Sequence, residues 1–147
     1  MKQLECWIFD IDGTLANSDH RKHHLEGKKD WDGWFADMDQ DPLHQDVAQF
    51  VKVATIQGIE VLICTGRGEE YRDVTTKWLA DREIEYNSLF MRKAKDRRDD
   101  SIVKYEMLLQ IRAAGFNPTL AFDDRDRVVK MWRENGIRCF QVAEGNF

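Results

Sequence analysis

The chain has 147 residues, 42% of them hydrophobic, and a net charge of −5, which fits a single globular domain over residues 1–147. The acidic balance argues against binding nucleic acid over the whole surface, but it allows a local basic strip. No stretch is long and apolar enough to span a bilayer, so we expect no membrane partner. Cys6, Cys64 and Cys139 lie far apart in apolar runs without a CxxC spacing. This pattern favours buried, reduced thiols in a cytoplasmic protein, and the stop of the first apolar run at Asp10 argues against a secretory signal.

Short apolar runs that alternate with helical patterns predict the fold. In chain order, the strands are predicted at Leu4–Phe9, Ile59–Cys64, Leu89–Met91, Thr119–Phe122 and Arg138–Val142. Between them, apolar residues recur at helical spacing over residues 47–54, 71–79, 102–111 and 128–132. This alternation indicates an α/β three-layer sandwich with a Rossmann-like parallel sheet. Binding sites in such sheets lie beyond the carboxyl ends of the strands.

One charged and aromatic segment, at about residues 15–43, interrupts the alternation after the first strand. In it Trp31, Trp34, Phe35 and Met38 recur at helical spacing after Asp30, which is a suitable N-cap. We interpret the segment as a small helical cap inserted over the sheet edge. Its tryptophans could stack on a terminal base or pack the cap onto the core. Its three histidines could approach the mouth of a site or lie on the surface, namely His20, His23 and His24.

The first strand ends in Asp10-Ile-Asp12-Gly13-Thr14. Two carboxylates at i and i+2 lie on the same side of an extended chain, and glycine permits a turn that brings the backbone close to a ligand. Buried carboxylates repel each other unless a cation compensates, so the string indicates a metal site. The alternative for such residues is a helix N-cap or a solvated turn.

Polar residues also follow the other two strong strands. Thr65-Gly66-Arg67 can bind a phosphate through side-chain and backbone donors, although Thr-Gly is also a common turn. Asp123-Asp124 suggests a metal again, and the plain alternative is once more a turn or cap. Lys104 lies on a helical pattern, where a single lysine is usually solvated.

The order DxDGT, TGR, lysine, DD covers the whole chain and resembles the haloacid dehalogenase superfamily of aspartate-nucleophile phosphatases. The resemblance implies that Asp10 is the nucleophile, and that Asp12 protonates the leaving oxygen and then activates water. To carry that proton, Asp12 would need a raised pKa beside the other carboxylates. Thr65 and Lys104 would hold the transferring phosphoryl group.

The same resemblance implies Mg²⁺ as the cofactor, although Mn²⁺ or Co²⁺ could also serve a site with oxygen ligands. The implied ligands are Asp10, the backbone carbonyl of Asp12, and Asp123, with Asp124 close by or acting through water.

A narrower resemblance is to the 3′-phosphatase domain of bacteriophage-type polynucleotide kinase/phosphatases. It is carried by residues 10–16, by Met91-Arg92 with Asp100 and Lys104, and by residues 122–132 and 139–147. It implies that Arg67 and Arg92 bind substrate phosphate and that Asp100 orients Lys104 or Arg67. The two-domain members carry a GxxxxGK[ST] kinase loop, which this sequence lacks, so we expect no kinase activity. A separate kinase or ligase could work beside it.

Three functions are considered. The first is removal of a 3′-phosphate from DNA or RNA ends or from nucleoside 3′-phosphates. In it, the basic strip Met91–Arg98 either contacts neighbouring phosphates or is a solvated loop, and the acidic cap favours a short substrate. The second is a small-molecule phosphatase acting on nucleoside 5′-monophosphates or sugar phosphates. The third is a non-catalytic binding protein. The sequence leaves the oligomeric state open.

Overall fold

The computed structural model describes residues 3–147 and is built around a five-stranded sheet in the order β3-β2-β1-β4-β5. Every neighbouring pair of strands runs parallel, as predicted. The strands are β1 (Leu4–Phe9), β2 (Glu60–Gly68), β3 (Ser88–Arg92), β4 (Phe116–Asp123) and β5 (Arg138–Gln141). β2 runs four residues beyond the predicted end at Cys64, because main-chain pairing with β3 continues past the apolar run.

Four longer helices cover the two faces of the sheet and give the predicted three layers. With a short helix in the insertion, the helices are α1 (Trp31–Ala36), α2 (Gln45–Ile56), α3 (Arg72–Asp81), α4 (Asp100–Ala113) and α5 (Asp126–Glu134). On one face, buried residues of α4 and α5 such as Ile111 and Trp132 pack against Ile8 and Leu62. On the other face, α2 and α3 bury their apolar residues against Phe9 and its neighbours. Burial of these apolar surfaces is the main stabilising contribution to the sandwich.

The two ends of the segment at residues 15–43 lie next to each other where the segment leaves and rejoins the sandwich. The Asn17 amide donates to the Pro42 carbonyl at 2.8 Å, and the His44 amide donates to the Leu15 carbonyl at 2.8 Å. Between these ends lie α1 and two short 3-10 helices, Asp19–Leu25 and Met38–Gln40. The Asp30 side chain caps α1 by accepting from the Gly33 amide at 3.0 Å, as predicted. The start of the insertion is next to Asp12, which forms a β-bridge with Ala16. The insertion therefore lies beside the end of β1.

The three cysteines are free and buried, as expected from their apolar surroundings. Burial raises the thiol pKa of Cys6 and Cys139 to about 12, which keeps both thiols neutral and unreactive at neutral pH. Over residues 3–147, none of the helices has the length and apolarity needed to cross a membrane.

Candidate active site

The carboxyl ends of β1 and β4 bring Asp10 and Asp123 together. The strands are neighbours in register at Phe9 and Phe122, and the Asp10 amide donates to the Phe122 carbonyl at 3.0 Å. Lys104, in the second turn of α4, places its Nζ 2.8 Å from Asp10 Oδ1 and 2.9 Å from Asp123 Oδ2. The lysine is only 2% exposed, so it belongs to this cluster and not to a solvated helix face.

Asp124 completes the cluster because Gly13 leaves room for it. The φ angle of Gly13 is +83°, and a Cβ at this position would lie 2.1 Å from Asp124 Oδ2. A side chain at residue 13 would therefore be both strained and in collision with the carboxylate. The Asp124 amide donates to Asp123 Oδ1 at 2.9 Å, and the Trp132 indole lies 3.3 Å from Asp123 Oδ2. These contacts fix the orientation of Asp123.

Asp10, Asp123 and Asp124 form a set that suits a divalent cation. Each offers one carboxylate oxygen, these oxygens lie within 4.8 Å of one another, and all three residues are buried. Burial and the neighbouring Asp123 raise the pKa of Asp124 to about 7, and the same two causes raise the pKa of Asp10. Lys104 offsets only part of the negative charge, so oxygen ligands and charge both fit Mg²⁺. The Asp12 side chain lies outside this set, and its backbone carbonyl stays a predicted ligand.

The Asp12 carboxylate is held by two arginines. Arg67 donates from Nε to Oδ2 at 3.1 Å and from Nη2 to Oδ1 at 2.8 Å, and Arg21 donates from Nη2 to Oδ1 at 2.5 Å. Burial alone would raise the pKa of Asp12, but the two guanidinium groups outweigh it and hold this pKa well below its usual range. The prediction of a raised pKa for Asp12 is therefore wrong for this site. That prediction takes account of the neighbouring carboxylates but not of the two arginines.

Arg21 and Asp41 are site residues that the sequence did not reveal. Arg21 is fully buried, and its Nε and Nη2 donate to the two oxygens of Asp41 at 2.8 and 2.5 Å. Its Nη1 donates to the Trp34 carbonyl at 3.0 Å, and its guanidinium lies 4.1 Å from the centre of the Trp34 ring. The cap thus contributes a buried cation to the Asp12 carboxylate. Nothing in the sequence pattern separates Asp41 from the other aspartates of the cap.

Asp41 also ties the cap to α3. Its backbone carbonyl accepts from the Trp78 indole at 2.9 Å and from the Arg82 Nε at 3.0 Å. Its carboxylate lies 2.6 Å from His20 Nε2 and 3.7 Å from Arg67 Nη2. A fully buried carboxylate with this many partners fixes the position of the cap over the end of β1.

Arg67 makes its side-chain contacts within the protein. It is 1% exposed, and besides Asp12 its Nη1 donates to Thr75 Oγ1 at 3.2 Å. These contacts orient the Asp12 carboxylate, and binding of substrate phosphate by Arg67 stays a prediction. The buried Oγ1 of Thr65 accepts from the Arg67 amide at 3.2 Å and keeps its own proton to donate, and its contact with the phosphoryl group likewise stays a prediction.

Arg92 and Asp100 also make contacts within the protein, and their predicted roles in binding phosphate and orienting neighbours stay predictions. Arg92 donates to the carbonyls of Gly66, Asp96 and Arg98, and to the Asp100 carboxylate. Most of its donors are therefore used within the protein. Asp100 binds Arg92 and Arg125, not Lys104 or Arg67. Its carboxylate also lies against Gly66 in β2, where a Cβ would be 2.6 Å from Asp100 Oδ1, so a glycine at this position leaves room for Asp100.

The two tryptophans of the cap differ in their exposure. Trp34 is 8% exposed and packs under Arg21, so it serves the core. Trp31 is 46% exposed, its ring centre lies 6.3 Å from that of Phe35 and 5.6 Å from Lys29 Nζ, and its stacking on a terminal base stays a prediction.

The fold and the site together define a phosphatase of the haloacid dehalogenase type. Residues 4–147 match the family described as the polynucleotide kinase PNKP phosphatase domain, and the chain belongs to this family. It is 36% identical to a chain in the Pnkp1/Rnl/Hen1 complex, with a TM-score of 0.84 over 99% of this chain and 48% of that chain.

Two further comparisons place the chain among its relatives. A putative bifunctional polynucleotide kinase/RNA ligase of Autographa californica nuclear polyhedrosis virus is 29% identical over 86% of this chain and 17% of its own length. The haloacid dehalogenase-like hydrolase SP0104 from Streptococcus pneumoniae shares the fold, with a TM-score of 0.65 at 13% identity over 92% of this chain and 83% of that chain. The chain thus spans about half or less of the relatives that it resembles in sequence.

Replacing Arg21 with Met should lower the free energy of unfolding at neutral pH by about 3–5 kcal/mol, because it leaves Asp41 buried without its main partner. In the folded wild type the pKa of Asp12 is lowered, so ionised Asp12 adds to the free energy of unfolding at pH values above the unfolded pKa of 3.8. This contribution is lost as the pH falls below 3.8. The variant should therefore lose less stability than the wild type below that pH. Urea unfolding over a series of pH values measures both effects. Lys22→Met, at an exposed neighbouring position, is the control and should change stability by less than about 0.5 kcal/mol. An equal acid loss in wild type and Arg21→Met would contradict this account.

Proposed function

We propose that this domain is a Mg²⁺-dependent phosphomonoesterase that removes the 3′-phosphate from polynucleotide ends or nucleoside 3′-phosphates through an aspartyl-phosphate on Asp10. The observation that carries the proposal is the Asp10–Lys104–Asp123 cluster beside Asp12 at the end of β1. Membership of the PNKP phosphatase family and similarity to proteins named for RNA repair and RNA ligation support the substrate class.

Asp10 is prepared as a nucleophile by its two fixed contacts. Its Oδ2 accepts from Thr14 Oγ1 at 3.0 Å, and its Oδ1 accepts from Lys104 at 2.8 Å. Each carboxylate oxygen can accept two hydrogen bonds, so each keeps a lone pair for attack on phosphorus. Lys104 reduces the repulsion between this carboxylate and an anionic phosphate. An aspartyl-phosphate divides the hydrolysis into two easier displacements.

A metal ion would balance the negative charge of the aspartates that Lys104 does not offset. Asp10, Asp123 and Asp124 would hold Mg²⁺, and the ion would supply positive charge that stabilises the phosphoryl oxygens when bound. Thr65, through its hydroxyl, and Gly66, through its backbone amide, would hold the transferring group together with Lys104.

Asp12 is the group placed to move protons at the leaving and entering oxygens. In the free site Arg21 and Arg67 keep it ionised, which suits the second step, where it takes a proton from the attacking water. For the first step it must carry a proton to the leaving oxygen. The negative charge of a bound phosphate raises the pKa of a nearby carboxyl group, so we infer that Asp12 is protonated only when substrate is present.

The wider context is also part of the proposal. The printed sequence has no GxxxxGK[ST] string, so we propose that this domain is a phosphatase without kinase activity and that a kinase or ligase acts beside it as a separate module. Three buried free thiols support a cytoplasmic location.

Phosphate release from one oligonucleotide with a 3′-phosphate and its twin with a 5′-phosphate tests the substrate assignment. With Mg²⁺ present, the 3′ form should be hydrolysed at least about a hundredfold faster, which is the discrimination that about 2.7 kcal/mol of selective contacts provides. Nucleoside 5′-monophosphates and sugar phosphates serve as the competing small substrates. Turnover of these alone would overturn the 3′ assignment while leaving the Asp10 chemistry in place.

The apparent affinity for Mg²⁺ should increase between about pH 6 and pH 8. The pKa of Asp124 is about 7 in the metal-free site, so below this pH the ion must displace a proton. Calorimetric titration in two buffers with different ionisation enthalpies measures affinity and proton release together. Asp124→Asn should bind Mg²⁺ more weakly and with a smaller pH dependence, because Asp10 remains as a ligand whose pKa is raised by burial. Affinity that is independent of pH in the wild type would exclude Asp124 as a ligand that must lose its proton.

A further inference from the structure

The loop between β3 and α4, residues 93–99, has both of its ends in contact with residues next to the reacting centre. At its start, Arg92 Nε donates to the Gly66 carbonyl at 2.8 Å. At its end, Asp100 packs against Gly66 and accepts from Arg125 Nη1 at 2.9 Å. Since Gly66 follows Thr65 and Arg125 follows Asp124, both ends of the β3–α4 loop are anchored beside the proposed phosphate site.

The basic residues of this strip fall into two groups. Arg92 is committed to the backbone of the loop, and Arg98 is paired with Asp96 and Glu106. Lys93, Lys95 and Arg97 are exposed, and within residues 3–147 no acidic side chain pairs with them. Three cations are therefore presented to solvent from a loop that ends at the site.

Several hydrogen bonds fix the backbone of the β3–α4 loop from which these side chains project. Lys95 has a φ angle of +67°, a left-handed conformation that non-glycine residues rarely adopt. The Asp96 amide donates to the Lys93 carbonyl at 3.1 Å, and Arg92 donates to the Asp96 and Arg98 carbonyls from below. A strained conformation that is held by several contacts is more common at binding surfaces than in ordinary turns.

The cap carries charge of the opposite sign to that of the loop. Acidic residues outnumber basic ones between residues 15 and 43, and Asp30, Asp32, Asp37 and Asp39 are exposed. Lys22, Lys28 and Lys29 are also exposed in the cap, but carboxylates outnumber them, so a polyanionic strand is less favoured over the cap than across the β3–α4 loop.

We propose that the β3–α4 loop binds the phosphodiester backbone of the strand whose 3′-phosphate occupies the Asp10 site. Lys93, Lys95 and Arg97 contact phosphates on the 5′ side of the terminal nucleotide, and the cap stays free of the strand. This proposal rests on the proposed function and names how its polymeric substrate is held. The shared phosphodiester chemistry makes both DNA and RNA strands suitable, and the experiment uses both.

The test is the triple variant Lys93→Gln/Lys95→Asn/Arg97→Gln, in which Asn suits the left-handed backbone at position 95. Its kcat/KM on a nucleoside 3′-monophosphate should stay within twofold of the wild type. Its KM on 3′-phosphorylated DNA and RNA decamers should rise about tenfold. The slope of log(kcat/KM) against log salt should become shallower by about 2, because each single-strand phosphate contact contributes about 0.7.

The matched control removes three exposed lysines on the outer helices, as Lys52→Gln/Lys77→Gln/Lys130→Gln. It changes the net charge equally and should leave the KM on the decamers and the salt slope unchanged. Equal effects of the two triple variants, or unchanged kinetics of the loop variant on decamers, would overturn the loop assignment.

A binding measurement separates this proposal from the proposed function. Fluorescence anisotropy with a labelled 3′-hydroxyl decamer, the product of the reaction, should show about tenfold weaker binding by the loop variant than by the control. If the wild type hydrolyses 3′-phosphates but both variants bind the decamer equally, only the loop assignment fails. If the wild type hydrolyses no 3′-phosphate yet binding depends on the loop, the proposed function fails and the loop surface stands.

Discussion

The contact of Lys104 with Asp10 and Asp123 is the constraint on which the rest of the structure depends. Without a cation between them, two carboxylates buried at the ends of adjacent strands would repel each other and destabilise the carboxyl edge of the sheet. The lysine can reach this position only because α4 packs tightly on the sheet through Val103, Met107 and Ile111. The apolar face of α4 therefore positions the charge that the site requires.

The site contains carboxylates whose pKa values shift in opposite directions. The cluster of Asp10, Asp123 and Asp124 has too little positive charge, and burial raises the pKa of Asp10 and Asp124. Asp12, only two residues from Asp10, has two arginines and a lowered pKa. The cluster of three aspartates is thus suited to bind a metal ion and a phosphoryl group. Asp12 is suited to stay ionised until a bound substrate adds negative charge. The separation explains how carboxylates so close in sequence can take different roles.

Much of this arrangement could be predicted from the sequence. Apolar runs gave the strands, and the polar residues after them marked the edge where Asp10, Thr65 and Asp123 meet. Lys104 was found through the order of motifs, since its helical position alone favoured a solvated side chain. The partners of Asp12 could not be predicted, because Arg21 and Asp41 meet only through the three-dimensional path of the cap. The contacts that occupy Arg67, Arg92 and Asp100 could not be predicted for a similar reason. A sequence shows that an arginine is near a motif, but not that its donors are already occupied.

The most direct test of the account is to trap the phosphorylated protein during turnover. A 3′-phosphate oligonucleotide labelled in its terminal phosphate is mixed with enzyme and Mg²⁺, quenched in acid within milliseconds, and the protein is mapped by mass spectrometry of its peptides. The account predicts label on the peptide that contains Asp10, and no label or turnover in Asp10→Asn. Label on a different residue, or turnover near the wild-type rate in Asp10→Asn, would contradict it.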